Sequence, residues 1–442
     1  MSNMRVNRPV RSAALVAVCS VWAGLSWAIE LPEPATDDDF LHGSPEEVVL
    51  GQLLFYDPIL SGNDNISCST CHHPKFGTSD GVSLGMGEGG IGLGPKRIVD
   101  PENVPEDRVP RNAPALYNLG AKEYITMFHD GRVEVVDGVL TVPIEDPFFD
   151  RVNGILATQA AFPVLSPDEM AGHVNENPIS KAVRKGRFSG EGGAWDLIAS
   201  KVAAIPEYQS LFADAYPDTA TRGIRFADIS NAIACFIAEE FRADNSPFDA
   251  YLRGEVSALG PLATEGMELF YGDAGCADCH SGTFQTDHKF HAMGQPQFGP
   301  GKTLAFERGA SDEGRFRVTG KESDLYAFRT PSLRNVTLTA PYGHTGAYAD
   351  LWEFVTAHSL PRAAFHAWTP DMAVLPDLDV EDWIAWEDDR EKAAILDAIE
   401  VEDRALSADQ VDAIVAFMEA LTDDTTRLGV PDAVPSGLPF EK

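Results

Sequence analysis

Cys68-Ser69-Thr70-Cys71-His72 and Cys276-Ala277-Asp278-Cys279-His280 are the stretches on which the fold turns. Two thiols three positions apart add across the two vinyl groups of one haem, and the histidine that follows ligates its iron from the proximal face. A single copy reads equally well as a zinc site or a chance match. Two copies with matching flanks point to two covalently attached c-type haems, with His72 and His280 as proximal ligands.

The flanks match in register. Gly51-Gln52-Leu53-Leu54-Phe55-Tyr56 leads into the first motif and Gly266-Met267-Glu268-Leu269-Phe270-Tyr271 into the second. Ser44-Pro45-Glu46-Glu47 opens the first lead-in with an N-cap, Pro at N1 and Glu at N3, a capping-box helix start. A helix, a loop carrying CxxCH and then irregular chain, used twice, predicts two related cytochrome c-like domains. Ser246-Pro247 and Leu259-Gly260-Pro261 punctuate the junction, so the domains are expected at 29–245 and 246–442. Helical patterns fill Ala194–Tyr216, Phe226–Phe241 and Ala408–Leu421, the last behind a second capping box at Ser407. Gly/Pro-rich stretches such as Gly81–Gly94 and Gln295–Gly301 lie between them. The expected class is mostly α, with long irregular loops organised around haem.

Residues 1–28 carry Arg5, Arg8 and Arg11, an apolar run Ala13–Leu25 and small residues at Ser26-Trp27-Ala28, the pattern of a cleaved secretory signal. Its apolar run is too short, and too soon followed by Glu30 and Pro32, for a membrane span. The expected location is the periplasm, without membrane insertion. The signal holds three of the 34 basic residues and none of the 68 acidic ones, so the remainder carries 31 − 68 = −37. That sign argues against nucleic acid and anionic membranes, and favours a neutral or basic protein partner or simply a solvated acidic surface. Of six cysteines, Cys19 falls in the signal and four in the motifs; Cys235, in an apolar run, reads as a buried free thiol.

Further segments carry a resemblance to a known family. They are Leu54-Phe55-Tyr56-Asp57-Pro58, Arg111-Asn112-Ala113-Pro114, Asp130-Gly131-Arg132, Arg329-Thr330-Pro331-Ser332-Leu333-Arg334-Asn335 and Pro341-Tyr342-Gly343-His344. With the two CxxCH motifs, this set resembles the bacterial dihaem cytochrome c peroxidase/MauG superfamily over nearly all of the chain after the signal. The resemblance implies a peroxide-using oxidoreductase whose N-terminal haem is the peroxide site. The family's distal pattern of Gln, Pro four residues on and Glu-Met ten residues on is met by Gln159, Pro163 and Glu169-Met170. It makes Glu169 the general acid/base that moves a proton between the peroxide oxygens. Gln159 then polarises the pocket and Pro163 fills the sixth side without ligating. Read without the family, Glu169 is an acid at a helix start behind Ser166-Pro167-Asp168.

Members that require reductive activation hold a distal histidine soon after the first CxxCH. Here that loop reads Gly85-Met86-Gly87-Glu88-Gly89-Gly90, and after His73 the next histidine is His129. The resemblance therefore implies a five-coordinate N-terminal haem that is ready without activation, as in MauG, with His73 at the surface or on a propionate. On the C-terminal haem the family ligand lies seventeen residues after the proline of a Thr-x-Pro segment, where peroxidases place Met and MauG places Tyr. Thr339-Ala340-Pro341 leads to His358 at that spacing, implying bis-histidine ligation by His280 and His358; ligation by Met372 is the alternative. The tryptophan expected before Asp130 is His129, which either replaces the aromatic spacer between the haems or turns toward an iron or a propionate. Insertions follow Arg132, up to Gln159, and follow His358, at Asp377–Asp403. The family also implies a calcium ion held by Asn112, Thr339 and Pro341.

Hydrogen peroxide is thus the expected oxidant. The reductant is either an electron-donor protein or the side chains of a protein substrate. A dihaem electron carrier without turnover is the competing class, and it requires a second ligand on the N-terminal iron.

Overall fold

The computed structural model describes residues 30–302, 310–423 and 425–442, so the expected signal lies outside the described residues. Two helix pairs dominate. Helix Pro45–Tyr56 packs on Phe226–Glu240, and helix Pro261–Phe270 packs on Ala408–Glu419. The matched lead-ins explain both. A Cβ on Gly51 would lie 1.9 Å from the carbonyl oxygen of Ala232, and one on Gly266 would lie 1.8 Å from that of Ala413. Glycine is required at each crossing because the two backbones touch there. The aromatic residues that follow close the pairs alike: Phe55 sits 5.2 Å from Phe236, and Phe270 sits 5.2 Å from Phe417.

Capping at Ser44 and Ser407 is realised with reciprocal side-chain and backbone bonds. The stretch Ala194–Tyr216 is not one helix. It breaks into Ala194–Ala203 and Pro206–Ala215, because Pro206 has no N–H for the ladder and serves as the first residue of a new helix. The fold is mostly helical, and its strands are short two- and three-stranded ribbons. The insertion after Arg132 forms one of these ribbons, pairing Val133–Val136 with Thr126–Met127 and Val139–Thr141.

One hydrophobic core gathers residues between Ala35 and Phe241, and another gathers residues between Phe248 and Leu421. The tail crosses back to the first. Val434, Leu438 and Phe440 pack on it, Gln52 donates to the carbonyl of Gly429, and Ser436 Oγ donates to Asp57. The insertion after His358 is also tied to the N-terminal half. Arg108 makes a buried two-pronged pair with Asp382 at 2.7 and 3.0 Å, and Ser83 exchanges backbone and hydroxyl bonds with Val374. No helix among the described residues is long and apolar enough to cross a membrane.

Candidate functional site

Both CxxCH motifs form single short turns, Cys68–Cys71 and Cys276–Asp278, each placed by the helix before it. None of the four motif cysteines is in a disulfide. His72 Nδ1 donates to the carbonyl of Thr78 at 3.0 Å, and His280 Nδ1 donates to that of Gln285 at 3.2 Å. Tying Nδ1–H to the backbone fixes the tautomer and leaves the Nε2 lone pair for a metal. Burial lowers the pKa of both rings, so each stays neutral; His280 is pushed to about 4, with His358 as the second cause.

His358 repeats the device. It lies near the end of helix Leu351–Ser359, where its Nδ1 donates to the carbonyl of Phe354 at 2.9 Å. Its ring lines a narrow slot with Met293, Gln295, Tyr348, Phe354 and Ala364. The two imidazoles, each with Nδ1 spent on a carbonyl, thus stand close enough for His358 to lower the proton affinity of His280. That donor chemistry suits an iron taken from both sides.

The side facing the first motif is different. A cavity of about 270 Å³ is walled by Phe128, Phe162, Leu165 and Phe188 and by three charged groups, Arg132, Glu169 and Lys302. Glu169 sits in a one-turn π-helix, Pro167–Ala171, rather than at the start of a longer helix. Burial raises its pKa, and Lys302 and Arg132 pull it back down. Lys302 is itself lowered by burial and by the two arginines Arg132 and Arg111. Arg132 is fastened to Asp130 and lies 3.5 Å over the ring of Phe128. Ile144, from the insertion after Arg132, completes the wall. Gln159 and Pro163 are not among the residues that line it; they lie at the end of helix Gly154–Ala160 and the start of the turn Pro163–Leu165.

Arg97 Nε is buried without a partner, and the guanidinium acts electrostatically on Cys71. An unpaired buried cation beside a haem-attachment cysteine suits an anionic substituent such as a porphyrin propionate. Thiols and imidazoles fit a c-type haem at each motif, and this cation adds a propionate partner at the first.

His129 does not share the ligand arrangement. Its Nε2 donates to the carbonyl of Asn112 at 3.2 Å, and burial followed by Arg111 pushes its pKa down to about 4. The neighbouring Arg111 bridges Asp130 and Asp312 in a buried network joining the two halves. His344, stacked 3.7 Å from Phe328, is held near 3 by burial and feels His129. His73 is buried, not superficial: its Nδ1 accepts from the backbone N–H of Lys75. Cys235 is half-buried, with its thiol pushed up to about 12 by burial. Asn112 turns its amide nitrogen toward the carbonyls of Val82 and Ser83, while Thr339 and Pro341 follow the turn Val336–Leu338.

Lys302 and His344 were not singled out from sequence. A solitary lysine in a Gly/Pro-rich stretch of a strongly acidic chain is the available signal for the first; the second closes the segment Pro341-Tyr342-Gly343-His344, which gave it no role of its own.

Residues 45–257 match a sequence model of the family described as di-haem cytochrome c peroxidase. The methylamine utilization protein MauG of Methylorubrum extorquens is 31% identical over 309 residues, 70% of this chain and 67% of that protein. The cytochrome c551 peroxidase of Pseudomonas aeruginosa is 30% identical over 330 residues, 74% and 75% of the two chains. Among solved structures, a MauG-like protein associated with microbial copper homeostasis superposes with a TM-score of 0.55 at 25% identity, covering 90% of this chain and 95% of that one.

Proposed function

Since the chain belongs to the di-haem cytochrome c peroxidase family, and is therefore a di-haem oxidoreductase, we propose that it reduces hydrogen peroxide on the His72 side and relays oxidising equivalents through a site closed by His280 and His358. The observation that carries this reading is the asymmetry of the two motifs. Glu169, flanked by two cations, faces an open cavity on one side, whereas a second free imidazole nitrogen faces His280 on the other.

Cys68, Cys71 and His72 would hold a haem, which would supply the two electrons for cleaving the peroxide O–O bond. Glu169 accepts the proton from the oxygen nearer the iron and returns it to the departing oxygen, so the first water leaves as water rather than hydroxide. Arg132 and Lys302 oppose the rise that burial imposes on its pKa and so favour the ionised form that accepts the proton. Gln159 orients the bound oxygen, and Pro163 with Phe162 and Leu165 closes the sixth side with carbon. His280 and His358 would hold the second haem, and a bis-imidazole ligand set would give it a lower potential than His/Met ligation. His129, neutral and bonded to Asn112, is the spacer between the sites rather than a ligand.

The loop 85–90 supports a site that needs no ligand release. It carries no histidine, and Arg97 Nη2 donates to the carbonyls of Gly87 and Gly90 at 2.7 and 2.6 Å. MauG-like oxidation of a partner protein's side chains is thereby favoured over a small cytochrome or cupredoxin as donor. We assign the division into cytochrome c-like domains 29–245 and 246–442, a periplasmic location after signal cleavage near Ala28, and a calcium ion at Asn112, Thr339 and Pro341 to the same reading.

Ferric EPR of the purified holoprotein tests it. One high-spin and one low-spin haem are expected, and His358→Ala should turn the low-spin signal high-spin. A wholly low-spin spectrum of the parent protein would instead make it an electron carrier.

A further inference from the structure

Glu88 lies in the glycine loop that passes over the turn carrying Glu169, and its backbone N–H donates to the carbonyl of Asp168 at 3.0 Å. The approach is close enough that a Cβ on Gly87 would lie 1.8 Å from the same oxygen. The Glu88 side chain is completely buried, and its two oxygens are treated unequally. Oε1 accepts from the amides of Asn63, Asn65 and Asn103 at 2.8, 2.7 and 2.8 Å. Oε2 has no partner. Opposite it, 3.8 Å away, stands His173 Nε2, also buried and also without a partner.

That separation is too long for a hydrogen bond. It is within the span of two atoms bound to one metal ion, since bonds of about 2.0–2.2 Å from nitrogen and oxygen reach roughly 4.2 Å across. The surroundings are negative. Glu176 accepts from the backbone N–H of His173, and Asp168 is pushed up to about 6 by burial and then by Asp107 and Glu169. Among the described residues no lysine or arginine forms an ion pair with Glu88, Asp168 or Glu176. An orphaned carboxylate oxygen and an orphaned imidazole nitrogen in an acidic pocket make the donor set of a borderline divalent cation. The His173 side chain is 19% exposed, so its ring reaches the surface while Nε2 points inward to Glu88.

We propose that Glu88 and His173 bind a divalent transition-metal cation of the Zn²⁺ type, tying the glycine loop to the turn that carries Glu169. The site is independent of both haems and of the reaction assigned to them.

Chelator-treated, dialysed holoprotein titrated with Zn²⁺ in a calorimeter tests the proposal. The parent protein should take up one ion more than His173→Ala or Glu88→Gln, with at least a tenfold loss of affinity at that site in each variant. Glu88→Gln keeps an acceptor oxygen for the three asparagines, and His173→Ala removes a partly exposed side chain, so both should fold; haem absorption spectra check this. Equal zinc uptake by all three proteins would overturn the assignment and leave Glu88 and His173 as a loosely packed acid–base pair.

Discussion

The two CxxCH regions start from the same device and end in opposite states. Each is placed by a helix that crosses its neighbour at a glycine, Gly51 or Gly266, and each histidine spends its Nδ1–H on a backbone carbonyl. What lies across from them differs. Glu169, which lines a cavity with two cations, acts electrostatically on Cys71 of the first motif; His358, whose Nδ1 is spent in the same way, acts on His280 of the second. The proximal half of such a site is local, and the chain carries it twice. The distal half is assembled from distant segments, and that is where two copies of one unit can diverge in chemistry.

Exchanging Glu169 for Gln attacks the comparison at its most reactive point. Loss of a general acid–base costs about 10²–10⁴-fold in rate, so stopped-flow mixing with peroxide should show a fall of that size. A near-parent rate would make the two regions chemically alike. Next in size is the strap between the halves. Asp382→Ala leaves Arg108 buried and unpaired and should cost about 3–5 kcal/mol in denaturant unfolding. A joint Arg108→Met/Asp382→Leu replacement should recover most of it, because no stranded charge remains.

The buried spacer between the regions predicts an acid-labile fold. His129 and His344 bind protons at about 4 and 3 when folded but near 6.5 when unfolded. Below 6.5 the unfolded chain therefore holds more protons, and stability falls as pH drops toward 4. Each of these histidines contributes about 1.4 kcal/mol per pH unit in that window. Thermal melts at pH 7, 6 and 5 should show a steady decline that His129→Phe reduces. The smallest effect concerns Lys302. With Lys302→Met the carboxylate of Glu169 loses a cation that favours its ionised form, so its pKa rises further. Because the ionised form accepts the proton, the peroxide rate falls as pH drops through that pKa. The midpoint of this fall should move to higher pH in the variant, and an unmoved midpoint would remove Lys302 from the site.

Much was legible beforehand where the chemistry depends on neighbours in the chain. Ser44 and Ser407 cap the helices they were expected to cap, and Asp350 caps the helix bearing His358. The expected helix Ala194–Tyr216 failed at Pro206, where a missing N–H outweighs a continuous apolar pattern. Of the two placements expected for His73, the surface fails: it is buried, capping the turn Pro74–Phe76 through Nδ1, and its Nε2 has no protein partner. Lys302 reaches Glu169 across more than one hundred residues, and Arg108 reaches Asp382 across 274; no periodicity or spacing connects such positions.

By itself the sequence determined two haem attachments, the membership of a family and the repeated helix that presents each proximal histidine. Each rests on contacts between residues a few positions apart, where bond geometry leaves little choice. Only the tertiary structure set Arg132 and Lys302 around Glu169 and drew His358 within electrostatic reach of His280, because burial and electrostatic field are set by segments the chain brings together late. The two motifs are alike as sequence and unlike as sites for that reason.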